Sequence, residues 1–243
     1  MPSIVIDVSD PDAMALWRTV ARIADALDDQ ETRWCLVGGM MVALFAIEAG
    51  QLQRPTTDID ILGDARQRPS GTEAVTERLE SIGGALKEVS GLESERGFRF
   101  EVDGQIVDVL APDGLAAPPT TTAGMQTIQI PGGSQALNRV EAVEIVVEGR
   151  RARLFRPALL GAILLKARSL EVHDRPQDQR EDLVTLLSLM TDPRTATESM
   201  KKTERRWLQS IESALDIEDR RLEARFDPAR LRIARASYRL LKG

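Results

Sequence analysis

Apolar residues recur at helical spacing between Asp10 and Asp28, at Met14, Trp17, Val20, Ala21, Ile23, Ala24 and Leu27, and predict an amphipathic helix. Trp34 to Val37 is a short apolar run that ends in Gly38-Gly39, a turn signal, and a second helix is expected from Met40 to about Ala49 with Gly50 as its stop. Asp58 to Leu62 reads as a strand. Ser70 and Glu73 have capping-box spacing for a helix through Ser81. Phe98, Phe100 and Val102 alternate, Asp103-Gly104 is a two-residue hairpin signal, and Ile106 to Leu110 is the return strand. From Ala111 to Asn138 the Pro, Gly and Thr content predicts an extended loop or edge hairpin, with a short alternating piece at Thr127 to Ile130. Val143–Val147 and Arg151–Phe155 flank Glu148-Gly149 as a further hairpin. Pro157 is expected to open a helix at its favoured first position. Helical spacing then continues through 159–170, 180–190, 201–215 and 228–241. The expected class is α+β: a mixed-sheet core over 1–156 and a helical C-terminal region over 157–243.

Composition narrows the classes. With 243 residues, 42% hydrophobic and 29% charged, the chain can build a substantial core. Its longest uncharged apolar stretch, Trp34 to Ile47, is 14 residues, short of the about 18 to 20 that span a bilayer. The N-terminus lacks a basic segment followed by a long apolar one, so a cytoplasmic protein without a membrane partner is expected. A single cysteine, Cys35, and a single histidine, His173, make no disulfide or zinc site between them. Cys35 is expected in the core and His173 in a loop. Metal chemistry would need carboxylates. The net charge of −6 divides into +5 for residues 201–243 and −11 for residues 1–200. A nucleic-acid partner would therefore meet the C-terminal end, although a basic helical tail is also an ordinary solvated surface.

The candidate chemistry centres on Thr57-Asp58-Ile59-Asp60-Ile61-Leu62. Side chains alternate along a strand, so Asp58 and Asp60 project from one face. Two like charges aimed at one place suit a hard divalent cation such as magnesium or manganese; two solvated aspartates on an exposed face are the plainer alternative. Asp108 sits in an apolar strand, where a carboxylate must be paired, hydrogen-bonded or metal-bound; a strand-end aspartate reaching solvent near Pro112 is the plainer alternative. Three such carboxylates fit the two-metal arrangement of phosphoryl and nucleotidyl transfer. Gly38 and Gly39 before a helix offer backbone N–H groups to an anion. Lys166 shares a helical face with Leu159, Ile163 and Leu170, and Asp182 one with Leu186 and Leu189. They are either a salt bridge between helices or a phosphate-binding lysine with its orienting carboxylate. Arg54, Arg168 and Arg175 are weaker phosphate candidates.

The stretch WCLVGGMMVALFAIEAGQLQRPTTDIDIL resembles the nucleotidyltransferase signature of the DNA polymerase β superfamily, a glycine pair followed by D-h-D-h, and IVDVL resembles its third-carboxylate strand. The R-x-T-x-D-h-D pattern, PALLGAILLKARSL and REDLVTLL resemble the AbiEii/AbiGii-type toxin nucleotidyltransferases, including the MenT-like toxins. The resemblance runs from about Trp34 to Met190. It implies a nucleotidyltransferase core in which Asp58 and Asp60 bind Mg2+ or Mn2+ and Asp108 assists or acts as base. It also implies that Gly38 and Gly39 accommodate the triphosphate, with Lys166 and Asp182 completing the nucleotide pocket. The family moves a nucleoside monophosphate from an NTP to an acceptor; its characterised toxins modify the tRNA 3′ end and are held by a cognate antitoxin. Gly39 and Asp58 are 19 positions apart, more than is usual in the superfamily, and Met40 stands where many members have Ser or Thr. The extra residues are expected in the helix and in the loop containing Pro55.

The leading expectation is a toxin that nucleotidylates tRNA, with Lys201, Lys202, Arg205, Arg206, Arg230, Arg232, Arg235 and Arg239 contacting phosphates. An aminoglycoside nucleotidyltransferase would keep the chemistry and use the acidic balance of residues 1–200 to attract a cationic acceptor. A protein acceptor, or a silent interaction or antitoxin protein, are the remaining readings; the retention of all three carboxylates argues against the silent one.

Overall fold

The computed structural model describes residues 3–28, 33–51, 54–67, 70–87, 96–122, 124–171 and 176–243. The chain forms two units, Met1–Pro157 and Ala158–Gly243. The first contains β1 (Ser3–Ile6), α1 (Pro11–Ala26), β2 (Trp34–Val37), α2 (Gly38–Glu48), β3 (Asp58–Gly63), α3 (Gly71–Ser81), β4 (Ala85–Leu86), β5 (Arg99–Val102), β6 (Gln105–Pro112), β7 (Ile128–Ile130), α4 (Gly133–Leu137), β8 (Val140–Val147) and β9 (Arg150–Pro157). It is α+β with two mixed sheets. The larger runs β2-β3-β6-β5-β4, with β7 also on β6, and the smaller runs β1-β8-β9.

Alternation places the core. Ile59 and Ile61 of β3, Val107 and Val109 of β6 and Phe100 and Val102 of β5 are all buried. Helix α1 buries Leu16, Trp17, Val20 and Ile23 along one stripe, and Asp10 caps it by accepting from the Asp12 N–H. Helix α2 has no polar face to spare: Met40 through Ala46 are buried on all sides. Its far end is anchored by Arg156 of β9, which donates to Glu48 (2.5 Å) and to Glu141 of β8 (2.9 Å) and lies 3.8 Å over the Phe45 ring. Trp34 and Phe155 meet edge to face at 5.9 Å, joining β2 to β9.

Two tight turns set the hairpin registers. Asp103 (φ 52°) and Gly104 (φ 75°) take the left-handed conformations of a type I′ turn, as do Glu148 (φ 50°) and Gly149 (φ 82°). The first fixes Arg99 opposite Asp108, and the second pairs Val140 with Pro157 at the open end.

The second unit is helical: α5 (Leu159–Leu170), α6 (Pro176–Ser188), α7 (Pro193–Glu198), α8 (Lys202–Ser210), α9 (Glu212–Leu215), α10 (Arg220–Glu223) and α11 (Pro228–Lys242). Helix α11 packs on α6, α7 and α8, and the Tyr238 hydroxyl donates to the Leu208 carbonyl (2.7 Å). Among the described residues, no helix is long and apolar enough to cross a membrane.

Five expectations differ from the structure. The segment 111–138 is neither a plain loop nor an edge hairpin, since Ile128–Ile130 pairs in parallel with β6 and Gly133–Leu137 is helical. Pro157 closes β9 rather than opening a helix: it pairs with Val140 at the end of the ladder, and Ala158 becomes the N-cap of α5. Gly38 and Gly39 form the first turn of α2 instead of a turn before it. The helix expected over 201–215 breaks at Ile211 into α8 and α9. Ser70 is the N-cap of α3, but no capping box forms, because its hydroxyl pairs with Thr72 Oγ1 (2.8 Å) and Glu73 accepts from Thr120 (3.2 Å).

Candidate active site

The site is assembled by strand register. Strand β3 lies between β2 and β6, antiparallel to the first and parallel to the second, with Val37 beside Asp60 and Asp60 beside Asp108. Asp58 and Asp60 therefore leave one face of β3, and Asp108 leaves the same face of the neighbouring strand. The opposite face carries Ile59 and Ile61 into the core. Asp58 and Asp60 are half-exposed, whereas Asp108 is 6% exposed.

Because Val37 ends β2 beside Asp60, the chain turns into α2 directly against that carboxylate. A Cβ on Gly38 would stand 1.7 Å from Asp60 Oδ2, and Gly38 holds φ +64°. Both facts require glycine. A Cβ on Gly39 would stand 2.4 Å from Thr56 Oγ1. Thr56 in turn donates to Asp58 Oδ1 (3.2 Å). The long connection after α2 thus returns a hydroxyl to the glycine pair at the helix start.

Arg99 completes the cluster. From β5 its Nε donates to Asp108 Oδ1 (2.8 Å) and its Nη2 to Asp108 Oδ2 (2.7 Å), a two-pronged pair. The guanidinium also lies 5.5 Å over the Phe98 ring. The hydrogen bond to Asp108 holds Arg99 above its ordinary pKa; partial burial opposes this, and the charges of Asp108, Asp58 and Asp60 add to it. Arg99 thus feels all three carboxylates. The sequence reading passed over it, although the Asp103-Gly104 turn counts back directly from Asp108 to Arg99.

The donor set matches a hard divalent cation at Asp58 and Asp60, whose oxygens share one half-exposed face with no side chain on Gly38 to block it. Asp108 is differently placed, since both of its oxygens bind Arg99. Among the described residues, no three His, Cys, Asp or Glu side chains are grouped so as to hold a metal ion. The site as it stands is a two-carboxylate platform with a third carboxylate held by arginine.

No family model matches the chain, and no curated relative does. Among solved structures, the chain is similar to the solution structure of the antibiotic-resistance factor ANT(2'')-Ia, at 22% identity over 84% of this chain and 96% of that one (TM-score 0.47). The crystal structure of ANT(2'')-Ia in complex with adenylyl-2''-tobramycin aligns at 18% identity over 81% and 96% (TM-score 0.45). An antigenic nucleotidyltransferase-like protein from Paracoccidioides brasiliensis aligns at 16% identity over 85% and 93% (TM-score 0.47). At this level of likeness the function must be read from the chain's own residues.

Lys166 and Asp182 lie in the second unit. Lys166 Nζ is 2.8 Å from Asp182 Oδ2 and donates to Gln179 Oε1 at 3.1 Å, with side chains 5% and 3% exposed for the ion pair. They tie α5 to α6. Arg168 pairs with Glu171 and lies 5.2 Å over Trp207, and Arg54 donates to the Pro55 carbonyl (2.9 Å). Arg175 and His173 lie outside the described residues. Cys35 is fully buried in β2, and that burial, with the charge of Asp64 adding to it, pushes its thiol well above the ordinary range.

Proposed function

We propose that the protein is a metal-dependent nucleotidyltransferase that moves a nucleoside monophosphate from an NTP to the 3′ end of an RNA, tRNA in the first place. The observation that carries the chemistry is the juxtaposition of Gly38 with Asp60: a helix start free of side chains, set against a carboxylate that shares its face with Asp58 and Asp108.

Asp58 and Asp60 would hold Mg2+ or Mn2+, and the bound ion would neutralise triphosphate charge and polarise the reacting oxygens. The first turn of α2 presents backbone N–H groups to the phosphates, and the missing Cβ atoms at Gly38 and Gly39 permit close approach. Thr56, whose hydroxyl lies against Gly39, would offer the triphosphate a hydroxyl that Met40 does not. In the reaction the acceptor hydroxyl oxygen bonds to the α-phosphorus while the bond from that phosphorus to the bridging oxygen breaks. Pyrophosphate leaves, and Asp108 would take the hydroxyl proton.

The RNA acceptor is supported by exposed cations in the second unit, among them Lys201, Lys202, Arg206 and Arg232. Other basic residues of the tail are already committed, since Arg225, Arg235, Arg239 and Lys242 pair with glutamates. Action as a toxin restrained by an antitoxin rests on the sequence resemblance. The −11 balance of residues 1–200 favours a second reading, transfer to a cationic aminoglycoside.

The test is incubation with each α-labelled NTP, Mg2+ or Mn2+ and total tRNA, beside Asp60→Ala. Label in tRNA that vanishes in the variant is the expected result. Label only in an aminoglycoside or in protein would replace the acceptor. Loss of all labelling together with absence of metal-dependent NTP binding would overturn the catalytic reading.

A further inference from the structure

Arg99 presents a question that the proposed chemistry leaves open. A base at Asp108 must turn a lone pair toward the acceptor hydroxyl, yet the Arg99 fork occupies one lone pair on each oxygen, at 2.8 and 2.7 Å. The Asp108 side chain is 9% exposed and that of Arg99 36%. The carboxylate is fixed and the cation is the partner that solvent and ligands can reach. A guanidinium fork fits a phosphate as well as it fits a carboxylate. It also lies on the face from which Asp58 and Asp60 project, because the β5–β6 and β3–β6 registers place Arg99, Asp108 and Asp60 side by side across three strands.

Charge gives the same picture. Three carboxylates and Arg99 sum to −2, the complement of one divalent ion. With Arg99 turned away the sum is −3, and Asp108 becomes a ligand or a base. The state seen here therefore favours a single ion on Asp58 and Asp60.

We propose that Arg99 is an exchange latch: it holds Asp108 until a phosphate of the incoming NTP takes its guanidinium, so that the third carboxylate is released only when nucleotide is bound. The inference rests on the nucleotidyltransferase reading. It makes Arg99 a positioning residue with respect to Asp108 and a ligand of the phosphates. Its consequence is protective, since an uncharged site without substrate holds no free base beside a bound ion. The fork is essential to this role. A lysine would keep the charge and lose the two-pronged grip.

The test counts bound Mn2+ by electron paramagnetic resonance, with and without a non-hydrolysable NTP analogue, in the full chain and in Arg99→Gln, Arg99→Lys, Asp108→Asn and Asp60→Ala. The latch predicts one ion without nucleotide and a second with it in the parent protein. Both Arg99 variants should take the second ion without nucleotide, and Asp108→Asn should never take it. In Arg99→Gln the first ion should also bind at least about tenfold more tightly, because a neighbouring cation is gone. If Arg99→Lys behaves as the parent and only Arg99→Gln differs, simple charge repulsion accounts for Arg99 and the latch is wrong. Equal ion counts with and without nucleotide in the parent would also overturn it, while leaving the proposed function standing. Absence of any Asp60-dependent Mn2+ or nucleotide binding would remove the proposed function itself. Circular dichroism melts of each variant separate loss of the site from loss of the fold.

Discussion

At the scale of single residues, the glycine pair offers the sharpest contrast. Alanine at Gly38 adds a carbon 1.7 Å from Asp60 Oδ2 at a backbone φ of +64°, so the substitution strains the backbone by about 1 to 2 kcal/mol and displaces the carboxylate proposed to hold the metal. At Gly39 the obstacles are the Thr56 hydroxyl at 2.4 Å and its Cβ at 2.9 Å, a smaller overlap than at Gly38 and one without a left-handed backbone. Gly38→Ala is therefore expected to lose Mn2+ binding and nearly all transfer activity in a protein that still melts cooperatively, and Gly39→Ala to lose substantially less. Equal effects of the two would show that Asp60 is not held by this contact. Much of this site could be read from the chain, because alternation in DIDIL aims Asp58 and Asp60 and the apolar context of Asp108 demands a partner. Arg99 was missed for a physical reason. An arginine in a short alternating strand reads as an ordinary solvent-facing residue until the turn that fixes its register is counted.

At the scale of elements, most long periodic segments were legible, and short ones only where a turn signal or clear alternation marked them, as at β2, β5 and β7. Helices α1, α5 and α11 repeat their apolar stripe over several turns, and their ends fall within a few residues of the expected ones. By contrast β1, β4, α4, α7 and α10 span two to six residues each, too short to establish a period, and tertiary packing defines them. Caps follow the same logic. Asp227 accepts from the N–H groups of Ala229 and Arg230, so Asp227→Ala should destabilise α11 by about 1 kcal/mol. Ser70→Ala should cost α3 far less, since the Ser70 hydroxyl bonds Thr72 instead of the helix backbone; denaturant midpoints of the two variants decide this. The α5–α6 pair separates structure from function. Lys166→Met leaves the Asp182 carboxylate buried without its cation and should cost about 3 to 5 kcal/mol, most of which Lys166→Met with Asp182→Leu should restore. If the double variant is stable and still transfers nucleotide, the pair is a helix tie. If it is stable and has lost NTP binding, the pair serves the nucleotide.

At the scale of the whole molecule, each unit carries a buried weak acid, Cys35 in the first and Tyr238 in the second, that ties its stability to alkaline pH. Cys35 in the first unit is held protonated by burial, with Asp64 adding to the effect, and ionises from a reference value of 9.0 once exposed. Tyr238 in the second is raised from 10.0 to about 12, again by burial and then by the charge of Glu212. In both cases the folded state binds the proton more tightly than the unfolded chain, so stability is full below the unfolded pKa and declines as pH rises. The decline should begin near pH 9 through Cys35 and gain a second component from pH 10 to about 12 through Tyr238. Each group contributes a slope of at most about 1.4 kcal/mol per pH unit. Cys35→Ala should flatten the decline between pH 9 and 10, and Tyr238→Phe the part above pH 10, after allowance for its lost hydrogen bond to Leu208. Urea melts across this range, followed by fluorescence and by circular dichroism, also test how the two units unfold. If they unfold as one, either substitution shifts the single transition seen by both probes. If they unfold separately, Cys35→Ala moves only the transition of the first unit, and Tyr238→Phe only that of the second. A parent protein whose stability is level from pH 8 to 11 would mean that neither acid is as buried in solution as its packing here requires.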